Sequence, residues 1–318
     1  MRFKALLLSL SLALTVNLVG CSKDNVKTED KAKITLVLST GGVNDQSFNQ
    51  SAWEGALKAS EELGVEVSYL ESNSDADYMQ NIETSIDQGN DLVVGVGFQV
   101  GDAILEAAKA YPEQKFVAID STYEEELDNL RSITFNEQEA GYLTGLIAGK
   151  MTKTNVLGCI GGFDIPSLTP FFEGFERGVE EVNPDIKVLR QYINSFTDAS
   201  KGKVAAQQMI QQSNTDIIFM ASGAGNAGIL EAVKEANIKA IGVDMPSSYL
   251  APDHIITSAL KNVGEGLKLT INDFVNGEFT SGNVKYSLTN GGVGFEKTDL
   301  LSDEIIKYVE DKLKNKGE

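Results

Sequence analysis

From Ile34 onward, short apolar runs rich in Val and Ile alternate with longer stretches in which apolar residues recur every three or four positions. Short continuous runs mark strands buried on both faces, and the longer spacing marks amphipathic helices. The pattern predicts strands over 34–39, 65–70, 92–96 and 116–120, with a short one at 132–135. Helices are predicted over 49–63, 77–88 and 102–111. A helix over 137–151 carries Gly141, Gly145 and Gly149 on one face, as close helix packing requires. The cycle then repeats, with strands at 156–160, 187–193, 217–221, 240–243 and 255–259 and helices at 170–182, 199–212 and 227–236. A helix at 264–275, a strand at 284–287 and a charged helix at 302–314 complete the chain.

Buried strands alternating with helices imply parallel sheets covered on both faces. The units before about residue 135 resemble those after about 154, so the pattern implies an α/β protein of two doubly wound parallel-sheet lobes joined by hinges. Ligands of such sheets bind outside the carboxyl ends of the strands. The segments to inspect are therefore 40–48, 97–99, 120–121, 161–165, 194–198, 222–226 and 244–246, most of them glycine-rich, aromatic or acidic.

The first twenty residues stand apart. Arg2 and Lys4 precede an apolar run from Ala5 to about Val16, followed by Leu18-Val19-Gly20-Cys21. A charged start, a short apolar core and small residues before a cut describe a secretory signal peptide. A cysteine directly after Val-Gly resembles the lipobox of bacterial lipoproteins. That likeness implies cleavage after residue 20, a lipid (palmitate) on Cys21 and attachment to the extracytoplasmic face of the cell membrane. Residues 22–32, polar and aperiodic, read as a tether.

Formal net charge is −19, and loss of Arg2 and Lys4 with the leader takes it near −21. Such a chain repels polyanions, which argues against nucleic acid as a partner. With Cys21 lipidated, Cys159 stands alone in an apolar strand and reads as a buried, inert thiol. The sole histidine, His254, has no nucleophile motif beside it, and no metal-ligand spacing occurs. No catalytic residue, metal or cofactor is expected.

In the first strand-end segment, Gly41 and Gly42 allow a sharp turn, and Asn44, Asp45, Ser47 and Asn49 are helix-start residues. Phe48 sits among them and either plugs the core or faces the cleft. Asp120 and Asp244, each just after a strand, have the residue type of a helix cap. Phe196 reads locally as a hydrophobic staple before the 199–212 helix, Lys261 as a surface lysine, and Trp53 as core. Gly223, Gly225 and Gly228 satisfy GxGxxG after a strand, a weak dinucleotide signal on its own.

The segment STGGVNDQSFNQSAWEG resembles the opening of the basic membrane protein family of substrate-binding lipoproteins, whose best-understood members are purine nucleoside receptors of ABC transporters. The resemblance continues through FVAIDS, SITFNEQEAGYLTGLIAGKMTKT, IGGFDIPSLTPFFEGFERG, YINSFTDASKGK, IIFMASGAGNAGI, IGVDMP and TSALKNVG, in order along nearly the whole chain after the leader. It implies a periplasmic-binding-protein-like fold of type I, with one lobe from 34–134 plus about 260–282 and the other from 135–259 plus about 283–318. It further implies a nucleoside (inosine, guanosine or adenosine) in the cleft and an ABC permease as partner. Phe48 and Phe196 match the positions that sandwich the base. Asn49 and Asp120 match those that read its edge. Asp244 matches the ribose position, with Gly223 offering backbone and Lys261 donating to ribose oxygens. The chain departs from the family after Asp244, where Met245-Pro246-Ser247-Ser248 stands in place of an acidic or amide pair. Three other readings remain: the same fold with a free base or pentose, a surface interaction or sensor protein, and a nucleoside-cleaving enzyme.

Overall fold

The computed structural model describes residues 31–316. The leader, Cys21 and most of the tether lie outside the described residues.

The chain forms two six-stranded sheets. The first half runs β1 (Lys33–Leu38), α1 (Phe48–Leu63), β2 (Glu66–Leu70), α2 (Asp77–Asp87), β3 (Leu92–Val96), α3 (Gly101–Ala110), β4 (Lys115–Ile119) and β5 (Leu130–Phe135). The second runs α4 (Glu137–Met151), β6 (Val156–Gly161), α5 (Thr169–Val182), β7 (Lys187–Tyr192), α6 (Ala199–Ser213), β8 (Ile217–Ala221), α7 (Asn226–Ala236), β9 (Lys239–Asp244) and β10 (Ile255–Lys261). Then come α8 (Val263–Val275), β11 (Gly282–Tyr286), β12 (Val293–Phe295) and α9 (Asp303–Lys316). Sheet order is β11-β5-β4-β3-β1-β2 in the first and β12-β10-β9-β8-β6-β7 in the second. All pairings are parallel except β12 on β10.

Strands β3 and β8 are buried along their whole length, and β1, β4, β6 and β9 at every residue after the first, because helices cover both faces. In α1, Ala52, Gly55, Ala56 and Ala59 form the buried stripe, and Gly64, in the left-handed region at φ 73°, ends the helix. The predicted close packing on α4 is present. Gly141 and Gly145 lie against the backbone carbonyls of Phe171 and Phe175 on α5, and Gly174 and Gly178 of α5 lie against α4 in return. A Cβ at any of these positions would overlap main chain.

The polypeptide crosses between lobes at 135–137, 261–263 and 286–293, because α4 packs in the second lobe, α8 on α1 in the first, and β12 in the second. The crossings are bonded to one another. Asn136 N–H donates to Tyr286 O at 2.8 Å, and Asn262 N–H to Gly292 O at 2.9 Å. One boundary differs from the sequence reading, which assigns residues from about 283 to the second lobe. Gly282–Tyr286 instead pairs with β5 at the edge of the first sheet, so the last crossing follows Tyr286. This strand alternates half-buried and exposed positions, as an edge strand does, and carries no apolar run to announce its partner. Strand β12 is absent from the sequence reading because three residues are too few to show a period.

Candidate functional site

The carboxyl ends of both sheets contribute to a shared cavity. Its wall takes Ser39, Thr40, Gly97, Phe98, Gln99 and Asp120 from the first lobe, and Ile165, Phe196, Ala221, Gly223, Val243, Asp244 and Lys261 from the second. Every strand-end segment singled out from the sequence contributes at least one residue. Phe48, Asn49, Asp120, Phe196, Gly223, Asp244 and Lys261 are all brought together there.

Asp120 and Asp244 are not helix caps. Both lie in the left-handed region, at φ 67° and 66°, where Asp is among the few non-glycine residues tolerated. A capping residue takes β-region angles instead. The twist turns both carboxylates off their strands. Lys261 Nζ lies 2.5 Å from Asp120 Oδ2 and 2.9 Å from Glu137 Oε1. The lysine is 1% exposed, far from the surface residue its sequence context suggests. Its ammonium also sits over the ring of Phe48, 5.1 Å from the centroid. Asp120 Oδ1 is buried and has no hydrogen-bond partner. A buried acceptor left unpaired costs about 1–3 kcal/mol, and a ligand donor would remove that cost.

Burial pushes Asp120 up to about 7 against the pull of Lys261, and Glu137 adds to the rise. Burial likewise raises Asp244 to about 6, with Lys261 and the Ser47 hydroxyl opposing it. Lys261 itself moves upward: burial disfavours its charge, but Asp120, Glu137 and Asp244 together outweigh that.

The start of α1 divides its labour in a way the sequence does not show. Asp45 alone caps the helix, accepting from the N–H groups of Ser47 at 2.9 Å, Asn49 at 3.0 Å and Gln50 at 3.1 Å. Ser47, though at the cap position, makes no side-chain cap bond. Its hydroxyl crosses the cleft to Asp244. The Asn49 amide turns to Ser39, whose hydroxyl donates to Oδ1 at 3.1 Å.

Phe196 packs against Phe163, with centroids 5.1 Å apart, and covers Gly162. The α6 cap is Asp198, accepting from Lys201 N–H at 3.0 Å. Gly223, at φ 57°, brings its backbone beside Phe196. Gly225 and Gly228 of the GxGxxG pattern are instead contacts between α6 and α7, against Gly202 and Ala199. Ser247 and Ser248, in the departing segment after Asp244, are pinned by their N–H groups to Glu296. Trp53 is half-buried, packed on the edge of the core and edge-on to the exposed Tyr69, and does not line the cavity. Cys159 is buried and its thiol is pushed up by that burial.

Sequence reasoning missed Glu137 and the role of Ser47. Glu137 reads as an ordinary acid in a first helical turn, and nothing in the sequence links it to Lys261. Among the described residues no group of His, Cys, Asp or Glu is arranged to hold a metal, and no helix is long and apolar enough to cross a membrane.

Over residues 32–317 the sequence matches the family described as ABC transporter substrate-binding protein, PnrA-like. The chain belongs to this family. It is 36% identical to the ABC transporter nucleoside-binding protein BmpA of Lactococcus lactis, across 94% of this chain and 93% of that one. It is also 36% identical to basic membrane protein A of Borreliella burgdorferi, across 96% and 91%. A solute-binding protein of an ABC transporter system from Aeropyrum pernix superposes with a TM-score of 0.79 at 34% identity, covering 90% of this chain and 80% of that one. As a PnrA-like protein the chain is an extracytoplasmic substrate-binding component of an ABC transporter, with the type I periplasmic-binding fold, and not an enzyme.

Proposed function

We propose that this PnrA-like protein captures a purine nucleoside between its lobes and delivers it to an ABC permease, held to the membrane by lipid on Cys21. The observation that carries the reading is the buried Asp120 oxygen without a partner, beside a lysine that already occupies the other oxygen. Such an acceptor suits a ring N–H or an exocyclic amine. Phe48 and Phe196, one from each lobe, supply rings for a flat base. Stacking of this kind contributes about 1–3 kcal/mol per base. Asp244, at the end of β9, takes the ribose diol, and the Gly223 backbone and Lys261 flank it. The nucleoside-binding relative in Lactococcus lactis supports the same ligand class.

The balance of charge in the cavity narrows the ligand. Asp120, Asp244 and the adjacent Glu137 face one ammonium, and Asp45 stands beside Asp244. A neutral nucleoside fits that balance. A monophosphate, with about two negative charges, does not. Denaturing the purified protein and identifying released small molecules by mass spectrometry tests the class. Calorimetry with inosine, guanosine and adenosine against their 5′-monophosphates tests the charge argument. Equal or tighter binding of a monophosphate, or release of an unrelated ligand such as a pentose, overturns the reading.

A further inference from the structure

Glu137 opens α4 immediately after the first crossing, and Lys261 ends β10 immediately before the second. An acid in a first helical turn ordinarily faces solvent and complements the helix dipole. Glu137 is 7% exposed instead, and one of its oxygens contacts an ammonium that Asp120 already holds. The charged groups facing Lys261 are Asp120 after β4, Glu137 on α4 and Asp244 on β9, and Asp45 before α1 faces Asp244. The rings of Phe48, Phe135 and Phe171 surround the ammonium, with centroids 5.1, 5.4 and 6.0 Å away. Inside that apolar collar its direction is set by the two carboxylate oxygens it bonds.

Taking the cavity as the nucleoside site proposed above, we propose that Glu137 is a positioning residue for it. Glu137 draws the Lys261 ammonium to one side of Asp120, so that Lys261 ties Oδ2 only and Oδ1 stays free to accept from the ligand. The bonding agrees: Oδ2 takes the lysine, and Oδ1 is buried and unpartnered. The electrostatics agree as well, because Glu137 opposes Lys261 in its effect on Asp120. With the Glu137 charge gone, Lys261 answers Asp120 alone among its close carboxylates, and Asp120 holds its proton less tightly.

The test titrates protein labelled with ¹³C at the aspartate carboxyls, followed by NMR without ligand. The Asp120 signal is the one lost in Asp120→Asn. In Glu137→Gln and Glu137→Ala the Asp120 midpoint should move to lower pH by about one pH unit. Glu137→Asp, which restores the charge, should return it toward the wild-type position. Either neutral variant that melts cooperatively is sufficient. The inosine dissociation constant, measured across the same pH range, should shift its midpoint in step. An unmoved Asp120 midpoint overturns the proposal, even where affinity falls uniformly at every pH, because that pattern belongs to a merely structural residue. Failure of every nucleoside to bind wild type would remove the nucleoside reading, while the ligand-free titration still decides the role of Glu137.

Discussion

Ser47 Oγ, at the start of α1 in the first lobe, donates to Asp244 Oδ2, at the end of β9 in the second, at 2.5 Å. The hydroxyl that a helix start would ordinarily keep for capping thus bridges the cleft, and Asp45 caps in its place. It occupies one acceptor position on the carboxylate assigned to the ribose. A sugar hydroxyl can use the remaining lone pairs of either oxygen, and Ser47 competes with it for only one of them.

Removal of Asp244 tests its assignment to the ribose. Losing its bonds leaves buried hydroxyls unpaired, at roughly 1–3 kcal/mol. Asp244→Ala should weaken inosine binding about 10-fold or more. Ser47→Ala, which only frees an acceptor, should have the smaller effect. Wild type should bind 2′,3′-dideoxyinosine poorly in the same calorimeter. Equal affinity for inosine and its dideoxy form would show that Asp244 does not hold the diol.

The aromatic pair is tested by comparing binding with stability. Phe48 and Phe196 are both half-buried and line the cavity rather than the fully buried core. Phe48→Ala and Phe196→Ala should each cost about 1–3 kcal/mol of inosine binding and leave the melting temperature without ligand nearly unchanged. A core plug would lose about 3–5 kcal/mol of stability instead. Melts of both variants with and without inosine distinguish the two. A large fall without ligand, combined with an unchanged inosine-induced shift, would take these rings out of the site.

Acidity should tune capture. Asp120 sits near 7 because burial opposes its charge. Below that pH it carries a proton and loses its anionic acceptor, and above it the carboxylate is available. Inosine affinity should therefore rise from pH 5.5 to 8, with its steepest change near 7. In Asp120→Asn the change near 7 should disappear, leaving that of Asp244 near 6, and affinity should stay low throughout. Isothermal titrations across that range check both. A wild-type profile flat through pH 7 would mean that Asp120 ionisation does not govern binding.

Membrane attachment rests on the leader alone. Cys21→Ser should abolish lipidation and move the protein out of the membrane fraction. Unchanged partitioning into detergent would show that Cys21 is not the anchor.

Much of this architecture can be read from local patterning. The alternation of strand and helix locates the strand ends, and those ends alone nominate the segments that line the cavity. What periodicity cannot report is partnership between distant segments. Nothing near Lys261 indicates that it is buried, because its partners Asp120 and Glu137 belong to a different sheet end and a different helix. Asp120 and Asp244 have the composition of caps, and only their backbone angles exclude that role. The edge strand β11 is ambiguous for the same reason: half-exposed alternation does not specify which sheet it will extend.

The bonds that tie the crossings together, Asn136 to Tyr286 and Asn262 to Gly292, have a mechanical consequence. Three independent tethers would let the lobes slide, twist and splay. Tethers laced to one another at main-chain level are bound to move together. Such coupling favours opening about one line over independent sliding or splaying. The Ser47–Asp244 bond across the cleft is the contact that lobes closing in one register would make.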